Sequence, residues 1–392
     1  MKVAPRVPHW ILATLLNSVL IQASTYLTRP MISYKLLSLH ASNFVVGSFG
    51  AIYALFPLLI AIPLGRWINH YGEGRFIALG TALIAASTLS LIYTSSIIGM
   101  VCAVAVLGSS QLLCMAGAQA LFANRSPKQG YEQYFGYYTF SAALGQLIGP
   151  LIGTAVSGSH GVLPTHLDRA FLAGALLALL GMGISFLGIP LAPSVGVSAE
   201  ESRAAITFTG LLANPGMKVA MFASLAISSS VDVLVVFLPV FGKERGFSAG
   251  AIGIVLALRA ASSMLSRIGL GKMTERIGYA RLLISSIAIS TICCVVAIFS
   301  PNVIFLAVII ALAGLSLGVG QPMTMAWVSR RSKDEERSYA ISVRLAGNRL
   351  GQFLLPATAG LIAGGLGASA VFFALAVLMG SSGLLARGRL DK

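Results

Sequence analysis

The chain has 392 residues, of which 56% are hydrophobic and only 10% charged, and its mean hydropathy is +0.86. A soluble domain carries roughly 25% charged residues, so a water-facing surface of ordinary polarity cannot be assembled from this composition. The formal net charge of +15 does not point to nucleic acid, because the basic residues flank apolar runs, the placement that orients membrane spans.

The runs have the length of roughly 20 residues that a spanning helix needs, which excludes the shorter strands of a soluble α/β protein. Lys2 and Arg6 ahead of the run from Trp10 have the look of a secretory signal. The run continues to about Thr28 and a second follows at once, which favours an uncleaved first helix. Helices 1 to 6 are expected near 10–29, 44–64, 76–94, 97–122, 134–158 and 168–190. Helices 7 to 12 are expected near 216–240, 250–270, 282–299, 302–326, 338–364 and 367–386. The fold class is therefore all-α and membrane-embedded, with twelve spans. Residues 191–215, with Pro193, Ser194, Glu200, Glu201 and Arg203, form a polar linker between an N-terminal bundle (1–190) and a C-terminal bundle (216–392).

With the N-terminus in the cytoplasm, most lysines and arginines outside the spans fall on the cytoplasmic side. Only Arg29, Lys35, Arg169, Lys243 and Arg245 fall on the other. This bias places both termini and the 191–215 linker inside. Cys102, Cys114, Cys293 and Cys294 all lie in hydrophobic runs and have no metal or redox spacing. The five histidines sit at segment ends, and neither a nucleophile constellation nor a phosphate loop is present, so no cofactor, no metal and no enzyme activity are expected.

Two segments repeat at one offset. Gly65-Arg-Trp-Ile-Asn-His-Tyr-Gly-Glu-Gly-Arg75 aligns with Gly271-Lys-Met-Thr-Glu-Arg-Ile-Gly-Tyr-Ala-Arg281. Leu144-Gly-Gln-Leu-Ile-Gly-Pro150 aligns with Leu350-Gly-Gln-Phe-Leu-Leu-Pro356, again 206 residues away. A soluble solenoid would repeat every 20 to 50 residues or so. Two parallel six-helix halves with a route between them are implied instead.

On these segments the chain resembles the major facilitator superfamily of transporters over nearly its whole length. The family's loop signature between helices 2 and 3 is Gly-x-x-x-Asp-Arg-x-Gly-Arg-Arg. Here the first copy, which runs from Gly65 to Arg75, is degraded, with Asn69 at the acidic position and His70 at the basic one. The second copy keeps Gly271, Glu275, Arg276, Gly278 and Arg281. The resemblance implies that these residues gate the cytoplasmic side as a glycine turn with a charge latch, and that Asn69 weakens the first copy. The other reading is a solvated turn. Gly136, Gly145, Gly149, Pro150 and Gly153 in helix 5 resemble the antiporter motif of drug/proton exporters. Gly145, Gly149 and Gly153 share one helical face, which also permits plain close packing.

Ionisable residues at bilayer depth are functional hypotheses by default. Asp232 in helix 7, preceded by Ser224 and Ser228 at one-turn intervals, is the one deep acid and the candidate proton-coupling residue; the alternative is a permanent salt bridge. Arg259 in helix 8 lies on a polar face with Ser262, Ser263, Ser266 and Arg267. Helix 11 carries Arg344, Asn348 and Arg349, with Arg349 turned about 140° from Arg344 at about 100° per residue. Arg259, Arg344, Asn348, Arg349, Tyr138 and Gln111 are the candidate substrate-binding residues, the alternative for the arginines being pairing with backbone carbonyls. Arg29, at the expected outer end of helix 1 before Pro30, is a candidate gate or snorkelling residue.

Several arginines against one carboxylate favour an anionic or amphiphilic cargo over a simple cation. The expectation is a monomeric, proton-coupled exporter of small amphiphilic or anionic compounds in a bacterial inner membrane, working by alternating access. The alternative is an uptake symporter or exchanger of an organic anion; a non-transport membrane enzyme is a third. The expected partners are the small molecule, protons and the lipid bilayer, with no nucleic acid.

Overall fold

The computed structural model describes residues 8–125, 131–158, 161–192, 216–268, 270–332 and 337–390. Among these residues the chain forms thirteen helices and no strand. They are α1 (His9–Ser38), α2 (Asn43–Tyr71), α3 (Glu73–Tyr93), α4 (Ile97–Arg125), α5 (Tyr131–Val156), α6 (Leu167–Gly188), α7 (Met217–Arg245), α8 (Ala249–Ile268), α9 (Leu270–Ile277), α10 (Tyr279–Ile298), α11 (Val303–Arg331), α12 (Arg337–Leu366) and α13 (Ala368–Leu390).

Eleven of these helices are long and apolar enough to cross a membrane. The twelfth long helix, α12, has 30 residues but carries Arg344, Asn348 and Arg349 and so is more polar. The helix beyond the expected twelve is α9, eight residues long, in the second copy of the loop signature. Much of the expected linker, 193–215, lies outside the described residues.

The first helix differs from expectation. An arginine followed by proline reads as a terminus, yet α1 runs through Pro30 to Ser38. Proline removes one intrahelical hydrogen bond, and packed neighbouring helices make that tolerable inside a membrane protein. Arg29 is therefore not at the outer end of its span but deep within it. The second helix likewise runs past 64, through Pro57 and Pro63, to Tyr71. Gly65 and Asn69 are thus helical rather than part of a loop, and their side chains lie outside what is described.

The turn that remains is a single residue. Gly72 has φ 98° between α2 and α3, and its repeat counterpart Gly278 has φ 86° between α9 and α10. Both lie in the left-handed region, where glycine carries no Cβ penalty, so both signature copies make the same one-residue reversal.

Burial decides which helices are central. In α1 and α7, 72% of the apolar window is buried, against 39% in α6 and α13. Large apolar side chains such as Leu187, Ile304, Leu361 and Leu384 are exposed instead on the outer helices, as expected where lipid is the solvent. In the N-terminal half α1 packs on α5 and α6, α2 on α4, and α3 on α4 and α6. In the other half α7 packs on α11, α12 and α13, α8 on α11, and α10 on α11 and α13.

The 206-residue repeat is visible in contacts as well as in sequence. A methyl group at Gly108 would fall 1.9 Å from the Tyr53 carbonyl oxygen, and one at Gly314 would fall 2.3 Å from the Arg259 carbonyl oxygen. Gly145 closes on Val19 and Ala23, and Gly351 closes on Leu225 and Ser229. Each of these pairs is related by the same offset, so the two bundles are pseudo-symmetric.

Candidate functional site at the interface of the two halves

The halves meet chiefly where α1 packs on α7, α2 on α12 and α5 on α8, with α2 also touching α7. The close approaches lie toward the end of the molecule that carries the α1–α2, α5–α6, α7–α8 and α12–α13 turns. There Gly47 meets Pro356 and Gly360, and Gly253 meets Thr154. These are one crossing seen twice, since 47 and 253, like 154 and 360, differ by 206. Polar bonds reinforce the closure. Asn43 Nδ2 donates to Glu244 Oε1 at 3.1 Å and to the Ala363 carbonyl at 3.2 Å. Ser33 Oγ donates to the Val236 carbonyl at 3.2 Å, and Ala249 N to the Gly161 carbonyl at 2.8 Å. Toward the opposite end, Gly136 of α5 and Gly347 of α12 have nothing within 4 Å of an added Cβ. Among the described residues the glycine crossings between the halves all lie at the first end, here called the closed end; the opposite end, called the open end, has none.

Below the closed end lies the ion pair of the two central helices. Arg29 Nη1 donates to Asp232 Oδ1 at 2.6 Å, with side-chain exposures of 5% and 14%. It is the one ion pair among the described residues and it joins the halves. Arg29 also lies over the Tyr53 ring, 4.2 Å from its centroid. The Tyr53 hydroxyl donates to Gln111 Oε1, and Gln111 Nε2 donates to Gln22 Oε1 at 3.2 Å. A chain of contacts thus runs from α7 through α1 and α2 to α4 and back to α1. Gln111 belongs to this chain. Tyr138 stands apart from it, packed on Phe122 at 5.8 Å between ring centroids and sharing a small recess with Gln22.

The glycine face of α5 positions α1. A methyl at Gly145 would fall 2.4 Å from the Val19 carbonyl oxygen, and one at Gly149 would fall 2.5 Å from the Ala23 carbonyl oxygen. One at Gly153 would fall 3.0 Å from Leu27 Cγ. These are successive turns of α1 leading to Arg29, as the four-residue spacing predicts. Pro150 lies within α5. Gly136 makes no such approach. Gly149→Ala is therefore expected to cost most of the folded yield in detergent, since overpacking costs about 1–3 kcal/mol or more. Gly136→Ala should purify like the parent; equal yields for the two would refute this placement of the motif.

The other cations form a second group. Arg259 is 2% exposed and donates no hydrogen bond among the described residues, its Nε being buried without a partner. Arg267 Nη2 donates to Gln321 Oε1 at 3.2 Å. Arg344 Nη2 donates to the Gln321 carbonyl at 3.2 Å and to Thr324 Oγ1 at 3.4 Å, so a backbone carbonyl does hold this arginine. Arg349 Nη1 turns instead to Gln352 Oε1 on its own helix at 3.0 Å. Asn348 is buried with Oδ1 unpaired. The Tyr26 hydroxyl lies within electrostatic reach of Asp232, Arg259, Arg29 and Arg267, and Tyr53 within that of Arg349. Arg259 thus lies within electrostatic reach of the Arg29–Asp232 pair, while α11 holds Arg344 and Arg349 turns to its own helix.

Arg75, Gly271, Glu275, Arg276, Gly278 and Arg281 are all exposed at the open end. None of these charges is in an ion pair among the described residues. The four cysteines are free, with Cys102 exposed and Cys114, Cys293 and Cys294 buried. Among the described residues no cluster could hold a metal. Gln321, Thr324 and the buried Glu73, which accepts from Asn124 Nδ2 at 2.6 Å, had no prior assignment. For Glu73 the signal was present, since it stands directly after the turn glycine where the family signature has arginine.

Residues 14–278 and 220–390 match the model of the Major Facilitator Superfamily. The chain belongs to that family. It is 21% identical over 370 residues to an uncharacterised transporter of this type from Methanocaldococcus jannaschii, covering 93% of each chain. It is 24% identical over 271 residues to the multidrug resistance protein MdtG of Yersinia enterocolitica, covering 67% of this chain and 63% of that one. Among solved structures, a variant of the nucleoside transporter NupG matches with a TM-score of 0.78 at 13% identity, covering 97% of this chain and 99% of that one. An inward-facing bacterial homologue of the human lysosomal transporter Spinster matches with a TM-score of 0.74 at 15% identity, covering 96% and 95%. The protein is a multi-pass membrane transporter with the fold of this family, and not an enzyme.

Proposed function

We propose that the protein is a proton-coupled exporter of small amphiphilic compounds bearing an acidic group. Halves 1–190 and 216–392, joined by 191–215, rock to give alternating access. The observation that carries this reading is the Arg29–Asp232 pair, buried and shared between the halves.

An ionised Asp232 ties α1 to α7. A proton on Asp232 cancels one charge of the pair and weakens that tie, so its protonation state and the closure of the halves are linked. With both termini cytoplasmic, as the charge bias favours, the closed end faces outward and the open end faces the cytoplasm. Cargo then enters from the cytoplasm, and Asp232 takes its proton when the halves open to the other side.

Export is favoured by the glycine face of α5 and by the likeness to the multidrug resistance protein MdtG. An acidic cargo is favoured by Arg259, which is buried within electrostatic reach of Arg29 and Asp232, and by Arg267 further along α8. The coupling residue is Asp232, and the signature residues Gly65, Asn69, Arg75, Gly271, Glu275, Arg276, Gly278 and Arg281 gate the cytoplasmic side. The unit is a monomer in a bacterial inner membrane.

Everted vesicles carrying the protein should accumulate anionic amphiphiles when their lumen is acid, with proton efflux on addition of cargo. Accumulation only of cations would refute the cargo class. Accumulation only by right-side-out vesicles would establish uptake in place of export.

A further inference from the structure

We infer that Arg259 is the anchor for the cargo's acidic group, and that this group is a single carboxylate or similar monoanion on an apolar body. The inference rests on the transport reading above and narrows it to one residue and one charge.

The five arginines of the core differ in what they already hold. Arg29 has Asp232, Arg267 has Gln321, Arg344 has a carbonyl and a hydroxyl, and Arg349 has Gln352. Arg259 alone donates to no described residue, although it is 2% exposed. A guanidinium offers five N–H donors, and a buried cation without acceptors is strongly unfavourable. A ligand that binds and leaves resolves this conflict, whereas a permanent partner would block the site.

The position fits the role. Arg259 is the repeat counterpart of Tyr53, and the same glycine crossing holds each in place, Gly314 against Arg259 and Gly108 against Tyr53. Tyr53 reaches from α2 to the Arg29 guanidinium between the halves. The equivalent position on α8 sends Arg259 into electrostatic reach of Tyr26, Asp232 and Arg29. Arg29 is already neutralised by Asp232, which leaves one open cation there and hence one anionic group to bind. Arg267, two turns further along the same face of α8, lies toward the open end and supplies a second cation on the way in.

The test uses the full chain in detergent micelles, with 2-naphthoate and its uncharged analogue 2-naphthamide as probes in equilibrium dialysis. The parent should bind naphthoate saturably and at least about tenfold more tightly than naphthamide, the scale of a charge-assisted pair. Arg259→Gln should erase that preference, and Arg259→Lys should keep part of it. Arg169→Gln and Arg387→Gln, at exposed positions outside the core, should preserve it to within about twofold. Arg259→Gln should also melt no lower than the parent, because it removes an unpaired buried charge; a structural arginine would give a lower melting temperature. The inference is overturned if naphthoate does not bind saturably, if the two probes bind equally, or if the preference survives Arg259→Gln. Should any of these occur while anionic cargo still drives proton movement in vesicles, the transport reading stands and Arg259 alone loses its role.

Discussion

Asp232→Asn is expected to reduce pH-gradient-driven accumulation to the level of empty vesicles, while downhill exchange of cargo persists. Asparagine keeps the shape of the side chain and its hydrogen-bonding reach to Arg29, 2.6 Å away in the parent, but can neither release nor take a proton. Accumulation that still follows the pH gradient in this variant would remove Asp232 from the coupling role. The pair also bears on stability. Removing one member of a buried pair leaves the other uncompensated and costs about 3–5 kcal/mol. Asp232→Ala should therefore lower the melting temperature strongly. The double variant Arg29→Met with Asp232→Leu should recover most of the loss, because well-packed apolar replacements of a buried pair are often neutral. Equal melting of the single and double variants would mean that Arg29 finds another partner when Asp232 is gone.

Hydropathy was enough to recover the spans to within a few residues for most helices, because a membrane leaves little choice but a helix of fixed length. It failed where local signals mislead. Arg29-Pro30 and the polar stretch from Gly65 both read as helix ends, yet α1 and α2 continue past them. Packed neighbouring helices make the missing hydrogen bond at Pro30 tolerable, and a single glycine at Gly72 suffices for the turn. The glycine face of α5 was legible because four-residue spacing fixes a face, although Gly136 shares the pattern without sharing the contact. The deep charges were legible as unusual residues, but their partners were not. Arg29 and Asp232 are 203 residues apart, and nothing local encodes which of several arginines meets the lone acid. Likewise the spacing of Arg344 and Arg349 correctly separates their directions, but only the fold reveals that Gln321 and Thr324 wait opposite Arg344.

The closed end should open when its two glycine crossings are filled. A Cβ at Gly47 would fall 2.4 Å from the Pro356 carbonyl oxygen and 2.5 Å from the Gly360 Cα, while one at Gly253 would fall 2.1 Å from Thr154 Cγ2. Valine at either position forces α2 from α12, or α5 from α8, and overpacking of this kind costs about 1–3 kcal/mol. At 1.4 kcal/mol per tenfold, roughly tenfold of the closed population should be lost. The readout is disulfide cross-linking between cysteines placed at Asn43 and Ala363, whose parent atoms are 3.2 Å apart. Both valine variants should cross-link more slowly and transport poorly, and unchanged cross-linking would show that these crossings do not hold the end shut. The two should differ in their remedy. The obstacle at Gly253 is a threonine side chain, its Cβ included, so adding Thr154→Gly should restore much of the closure to Gly253→Val. The obstacle at Gly47 is the backbone of α12 itself, which no side-chain truncation can remove, so Gly47→Val should resist rescue even though the repeat makes the two sites equivalent.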